Sequence, residues 1–357
     1  MSKLRIAVFR GLFLGDLLCA VPAFRALRAG FPQAEITLIG LPWAASFVDR
    51  FGRYLDRFVE FVGYPGINEV PVDPARTGAF LAEQRAYGYD IAVQMHGSGG
   101  TSNPFVLALG AKATVGYYVG QPPAGLTLGA EYPDDEPEIK RNLGLARLLG
   151  CPSRGLHGEF PLFHRDLTEA DWLLRPLGVK DRPWIGLHAG SRQPTRRWPP
   201  AYFARVADHF AREHGARILL TGVPEEAPIV QAVVQRMKTK PLVLTGKTSL
   251  GGLAAIIERL DLFISNDTGP SHVARAIDTP SVTIFGPVDH TRWAALNPER
   301  HRLVREPVDC LPCPHWECPI DHRCMRWVTP EMVVEVGEAL LVKKLVKELV
   351  KEKAWSA

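Results

Sequence analysis

The chain has 357 residues, of which 46% are hydrophobic and 22% charged. That is ordinary globular composition, which excludes disorder as the main state and leaves length for two cores. Its 42 Lys and Arg nearly balance 38 Asp and Glu, for a net charge of +4, so the footprint of a dedicated nucleic-acid binder is absent.

The N-terminal apolar stretch is interrupted at Arg10, too early for a signal peptide. No run is long enough to span a bilayer. Cys19, Cys151, Cys310, Cys313, Cys318 and Cys324 are too sparse for a small disulfide scaffold. The expectation is a soluble cytoplasmic protein.

In chain order, Ile6-Ala7-Val8-Phe9 reads as a first strand, 11–16 as a loop, 17–29 as a helix and 35–39 as the next strand. Apolar runs at 91–93 and 114–116 continue that sheet, and the Pro- and Gly-rich stretch 121–137 reads as an irregular loop. The pattern then restarts with a strand at 184–188, a loop at 189–200, a helix at 201–213 and a strand at 217–220. A strand at 242–244 and a helix at 250–258 follow, then a strand at 262–265, a turn at 266–270, a helix at 271–276 and a last clear strand at 281–285. This alternation is the signature of parallel α/β units.

Two halves that each open strand, polar loop, helix predict two Rossmann-like, doubly wound domains facing an interdomain cleft. The expected boundaries are 1–176, a turn-rich linker at 177–183, 184–335, and an amphipathic C-terminal helix over 336–357. In that tail Leu341, Val342, Leu345, Val346, Leu349 and Val350 share a face, with lysines mainly on the other. It reads as a helix docked on a domain, the alternative being an interfacial helix on an anionic membrane. Ligands of open α/β sheets bind beyond the carboxyl ends of the strands, which directs attention to loops 11–16, 94–103, 188–198, 222–226 and 266–272.

Within 266–272, Gly269 allows close backbone approach, Pro270 suits the first turn of a helix, and Thr268, Ser271 and His272 can meet an anion at that helix N-terminus. The competing reading is an Asp/Thr helix cap without a ligand. The 188–198 loop supplies Gly190, Ser191, Arg192, Arg196 and Arg197, a set suited to a diphosphate. Asp16 is either a cap of the following helix or a general base. His96 is a weaker candidate.

Neither a GxGxxG fingerprint nor a P-loop occurs. Cys310, Cys313, Cys318 and Cys324, with His315 and His322 among them, either hold a structural zinc or pack a loop as reduced thiols.

Taken together, Arg10, Gly15-Asp16-Leu17-Leu18, Pro22-Ala23 and Arg25-Ala26-Leu27-Arg28 resemble the N-terminal signature of glycosyltransferase family 9. Its best-known members are the ADP-heptose:lipopolysaccharide heptosyltransferases. Tyr89-Asp90-Ile91-Ala92-Val93, Leu109-Gly110-Ala111-Lys112 and Val115-Gly116-Tyr117 are similar to the family's middle segment. In the second half, His188-Ala189-Gly190-Ser191, Arg197-Trp198-Pro199, the stretch 265–274 and Ile284-Phe285-Gly286-Pro287 resemble the family better still.

The resemblance implies a GT-B fold, with acceptor bound by the first domain and nucleotide sugar by the second. It also implies inverting sugar transfer that requires no cofactor or metal. Asp16 corresponds to the proposed catalytic base; Arg10, Gly15 and His96 are acceptor-side candidates. Asp267, Thr268, Gly269 and His272 correspond to the nucleotide-sugar motif, and Gly190 and Ser191 to a phosphate-contacting pair. The family often has Lys at the second position upstream of the Trp; Arg196 stands there, in a loop one residue longer, so Arg196 and Arg197 are both candidates. The implied partners are a nucleotide-sugar donor and a lipid-linked saccharide acceptor, not nucleic acid, with peripheral association at the inner face of the cytoplasmic membrane. The alternatives are a nucleotide-sugar epimerase or hydrolase on the same fold, or a non-catalytic metal-binding scaffold. Sugar, base, acceptor and oligomeric state stay open.

Overall fold

The computed structural model describes residues 3–355, with side chains through Lys344. The chain divides into two compact units, Met1–Pro161 and Leu162–Ala357.

The first unit runs β1 (Arg5–Phe9), α1 (Leu14–Gly30), β2 (Glu35–Gly40), α2 (Ala44–Arg50), β3 (Arg57–Glu60), α3 (Pro74–Tyr87), β4 (Ile91–Gln94), α4 (Ser102–Ala108), β5 (Ala113–Tyr118), β6 (Leu128–Glu131) and α5 (Glu138–Leu148). Its six strands form one parallel sheet in the order β3-β2-β1-β4-β5-β6. The central strands read as continuous apolar runs because helices cover a parallel sheet on both faces. Ile6, Ala7, Val8 and Phe9 are accordingly all buried. Phe9 packs against Phe61 and Phe105 with ring centroids at 5.0 and 4.5 Å.

The second unit runs α6 (His164–Leu174), β7 (Trp184–His188), α7 (Pro200–Glu213), β8 (Arg217–Thr221), α8 (Ala227–Val234), β9 (Leu242–Val243), α9 (Leu250–Glu258), β10 (Leu262–Asn266), α10 (Gly269–Ile277), β11 (Ser281–Phe285), α11 (His290–Trp293), β12 (His301–Arg305), α12 (Arg323–Arg326) and α13 (Pro330–Trp355). Its parallel sheet has the order β12-β11-β10-β7-β8-β9. Trp198, Phe203 and Phe210 share its core with Val333, Leu340 and Leu341 of α13. Both sheets place their first strand third or fourth and reverse direction beside it, between β1 and β4 and between β7 and β10. Crevices for ligands open at such reversals.

Four expectations change. The division falls before α6 rather than at 177–183, because α6 packs on α9 and the Glu169 carboxylate accepts hydrogen bonds from Ser249 N–H (2.6 Å) and Oγ (2.5 Å). Helix α1 begins at Leu14, which puts Asp16 inside its first turn instead of in a loop. The stretch 121–137 contains strand β6, an exposed edge without apolar alternation. A further strand, β12, follows the apolar run 281–285, and its Arg302 is exposed.

In the tail, Leu341 is buried but Val342 is 53% exposed, so those two do not share a buried face. Lys344 Nζ bonds Leu260 O (3.1 Å) and Asp261 Oδ1 (2.5 Å), which docks this part of α13 on the second unit. The side chains of Leu345, Val346, Leu349 and Val350 lie outside the described residues. Among the described residues no helix is long and apolar enough to cross a membrane.

Candidate functional site

At the β1/β4 reversal Arg10 follows β1 directly and is fully buried. Its Nε donates to Asp16 O (2.9 Å), its Nη1 to Met95 O and to Asn142 Oδ1 (2.9 Å), and its Nη2 to Glu138 Oε1 (2.8 Å). Breaking a buried pair such as Arg10–Glu138 costs about 3–5 kcal/mol, since one charge is left uncompensated. Arg10 therefore ties the ends of β1 and β4 to α1 and α5.

The Asp16 carboxylate lies 3.8 Å from Arg10 Nη2 and keeps 20% exposure against 1% for Arg10, so Asp16 is the group that can meet a ligand. One of its oxygens also accepts the Phe13 N–H at 3.3 Å. The cap reading and the base reading are thus compatible: one oxygen caps α1 while the other faces Arg10. Gly15 is the second residue of the same helix.

His96 follows β4 and stacks on Phe9 at 5.0 Å. Burial, reinforced by the Arg10 charge, pushes its pKa down to about 4. The ring is therefore neutral near pH 7, and its 3.6 Å approach to Glu69 is not an ion pair there. Its Nδ1 is buried with no hydrogen-bond partner.

At the β7/β10 reversal of the second unit, Asn266 holds two loops together. Its Nδ2 donates to Ala189 O (2.9 Å) and Gly190 O (3.2 Å), and its Oδ1 accepts Trp198 N–H at 3.0 Å. Trp198 is itself buried and donates Nε1–H to Val328 O at 2.8 Å. The loop 189–198 is thereby pinned at both ends.

Gly190 is required by what lies beside it: a Cβ there would come within 2.0–2.3 Å of the Glu226 carboxyl group. Glu226 in turn accepts Val223 N–H at 2.9 Å and lies 3.4 Å from His188 Nε2. Burial alone would raise its pKa, but the His188 hydrogen bond and charge and the Val223 amide outweigh it and keep the carboxylate ionised.

The two arginines that sequence could not separate have different partners. Arg196 Nη1 reaches Asp267 Oδ2 at 3.3 Å, and its Nε donates to Gln193 Oε1 at 3.1 Å. Arg197 Nε instead donates to Ser191 O at 2.8 Å.

Asp267 is buried, and its Oδ1 has no hydrogen-bond partner. Thr268 stands at the N-cap of α10 in extended conformation, yet makes no side-chain cap bond. Neither residue caps α10 through the bond that the ligand-free alternative requires, and Ser271 Oγ turns back to Thr268 O at 2.7 Å. An α-helix start presents free N–H groups and the positive end of the helix dipole. Here it is accompanied by Arg196.

Burial raises the Asp267 pKa against the opposing pull of Arg196 and Arg275. His272, 4.0 Å from Asp267, is held well below its usual range by burial and then by the same two arginines. Burial disfavours the charged form of both groups, and the Arg196 and Arg275 guanidinium groups stand beside them. That arrangement suits a diphosphate.

His188, Gln193, Glu226 and Asn266 all lie in stretches marked in the sequence, 188–198, 222–226 and 266–272, but none of the four is given a role of its own there.

The cysteine segment buttresses this site through the His315 carbonyl and the His322 ring. His315 O accepts from Gln193 Nε2 (2.9 Å) and Thr195 Oγ1 (3.2 Å), and His322 Nε2 lies 2.6 Å from Thr195 O. Cys310, Cys313, Cys318 and Cys324 are free thiols. Burial, then the charges of Cys310, Cys318 and Cys313, push the Cys324 thiol up to about 11. Among the described residues, no three of the four sulfurs lie at ligand spacing from one another.

A profile of glycosyltransferase family 9 (heptosyltransferase) matches residues 78–323. The chain is 34% identical over 161 residues to lipooligosaccharide heptosyltransferase 2 of Campylobacter jejuni, a match covering 44% of this chain and about half, 50%, of that relative's length. To lipopolysaccharide heptosyltransferase 2 of Escherichia coli it is 24% identical over 366 residues, covering 96% of this chain and 99% of the relative. A solved family 9 glycosyltransferase from Veillonella parvula superposes with a TM-score of 0.78 at 24% identity, over 96% of this chain and 99% of that one. The α/β two-domain architecture is thus that of the GT-B heptosyltransferases. With the profile spanning more than half of its length, the chain belongs to glycosyltransferase family 9.

Proposed function

We propose that the chain is a glycosyltransferase that moves a heptose, or a related sugar, from an ADP-sugar to a lipopolysaccharide-core-type acceptor, with inversion and without a required metal. The observation that carries this reading is the second-unit reversal, where Arg196, Asp267 and the α10 N-terminus meet beside the Gly190–Ser191 loop. The first unit contributes the partly exposed Asp16 carboxylate.

The chemistry follows from those groups. The Asp16 carboxylate takes the proton of an acceptor hydroxyl as its oxygen attacks the anomeric carbon. The bond from that carbon to the diphosphate breaks, and negative charge grows on the leaving group. Fixed donors aimed at developing charge are the most effective stabilisers available to a protein. Arg196 and the amides opening α10 fill that role. Gly190 and Ser191 bring backbone to the diphosphate, and His272, held neutral, offers a hydrogen bond without adding charge. A lipid-linked saccharide acceptor would bring the enzyme to the inner face of the cytoplasmic membrane.

The test is a melting-temperature panel of nucleoside diphosphates and nucleotide sugars. ADP and ADP-sugars are expected to raise the melting temperature, by linkage to the folded state. A flat response to every nucleotide would remove the donor-site assignment. Release of free sugar without any acceptor would favour the hydrolase alternative.

A further inference from the structure

Among the described residues, one group of three side chains brings metal-ligating atoms within 4.8 Å of one another: His209, His214 and Glu338. It belongs to α7 and α13, on neither of the loops that form the candidate donor site.

The cluster is built by local geometry. His209 lies in α7 just before its last turn, and His214 is the C-cap, with φ −114° and ψ 3°. Five positions apart on a continuous helix the two rings would diverge, but the non-helical backbone at His214 lets its ring return toward His209, and the ring centroids stand 6.1 Å apart. Phe210 packs beside both, 5.5 Å from one ring and 5.6 Å from the other, as an apolar backing. Gly337 lets α13 approach this point: a Cβ there would meet Phe210 Cζ at 2.8 Å. The next residue, Glu338, therefore enters between the imidazoles, and its Oε1 lies 2.8 Å from His209 Nε2 and 3.1 Å from His214 Nε2.

We infer that His209, His214 and Glu338 form a surface site for a divalent transition-metal ion of the zinc type, which clamps α13 to the end of α7. Two imidazole nitrogens and one carboxylate oxygen are the ligands that zinc accepts, with water in the fourth position. Ligands about 2.0–2.2 Å from a tetrahedral zinc stand roughly 3.4 Å apart. The present nitrogen–oxygen separations are shorter by only a few tenths of an ångström, so an ion enters by displacing the shared protons and spreading the ligands slightly. All three side chains are partly exposed, at 32%, 25% and 39%, which leaves a path for the ion and room for the water.

The test is zinc chloride titrated by calorimetry into the chelator-treated full-length protein, alongside His209→Gln/His214→Gln and Glu338→Gln. Because every form keeps the cysteine segment, the comparison isolates the cluster. The wild type is expected to take up one equivalent more than the double-histidine variant, and to gain a zinc-dependent rise in melting temperature that Glu338→Gln largely loses. Equal stoichiometry and equal thermal response in all three would overturn the site. Should the double variant not fold, cobalt(II) spectra of the wild type and Glu338→Gln decide: a nitrogen- and oxygen-ligated centre lost in the variant supports the site, and identical spectra overturn it.

Discussion

Arg196 and Arg197 are adjacent and chemically identical, yet only Arg196 faces Asp267, while Arg197 holds the Ser191 carbonyl. A charge-assisted hydrogen bond to a diphosphate contributes about 1.5–3 kcal/mol. Arg196→Gln is therefore expected to weaken ADP binding roughly 10- to 100-fold by calorimetry. Arg197→Gln, which removes a loop contact, should cost less than about threefold. The reverse order would place the diphosphate on Arg197. No sequence rule separates the two, because the loop's short helical turn at 194–196 decides which side chain points at β10.

The loop after β7 depends on the end of β10. Asn266 accounts for three hydrogen bonds across that pair, all to buried backbone groups. Asn266→Ala would leave an amide and two carbonyls unpartnered and is expected to lower stability by about 2–4 kcal/mol in urea titration. A loss below about 0.5 kcal/mol, the size of an ordinary surface substitution, would mean that the loop holds itself.

Elements of this kind were the readable ones. Strands β7, β10 and β11 are continuous apolar runs bounded by turn formers, and both their positions and their polar ends were evident from sequence. Strands β6 and β12 were not, since exposed residues at the sheet edges replace the apolar run. The start of α1 was hidden for a different reason: its N-cap is Phe13, which carries none of the usual capping groups, and Asp16 supplies the bond from inside the helix. The His188–Glu226 pair joins residues from separate loops, and only the fold brings them together.

At the scale of the whole molecule, buried histidines contribute to the response to acid. Burial is the largest cause of the lowered pKa of His96, to about 4, and of His301, also to about 4, and it holds His272 low as well. The unfolded chain takes up these protons near its ordinary value of 6.5, whereas folded His96 and His301 do not until about 4, and His272 only well below 6.5. The unfolded state therefore binds more protons through that window, and stability is present above it and lost as pH falls from 6.5 toward 4. For His96 alone the loss at pH 5 is about 2 kcal/mol. Urea titrations at pH 8 and pH 5 should show this decline, and His96→Gln should reduce it. An unchanged slope in His96→Gln would mean that His96 is protonated in the folded state.

The division of labour between the two units is the central claim, and transfer by an Asp16 variant tests it most directly. Wild type and Asp16→Asn would be incubated with ADP-heptose and a lipopolysaccharide-core acceptor, with ADP and glycosylated acceptor followed by mass spectrometry. Asn preserves an oxygen to cap α1, so folding and ADP affinity should persist, while turnover falls about 100- to 10,000-fold, as expected for removal of a general base. Near-normal transfer by Asp16→Asn, or no transfer by the wild type with any nucleotide sugar it binds, would contradict the account.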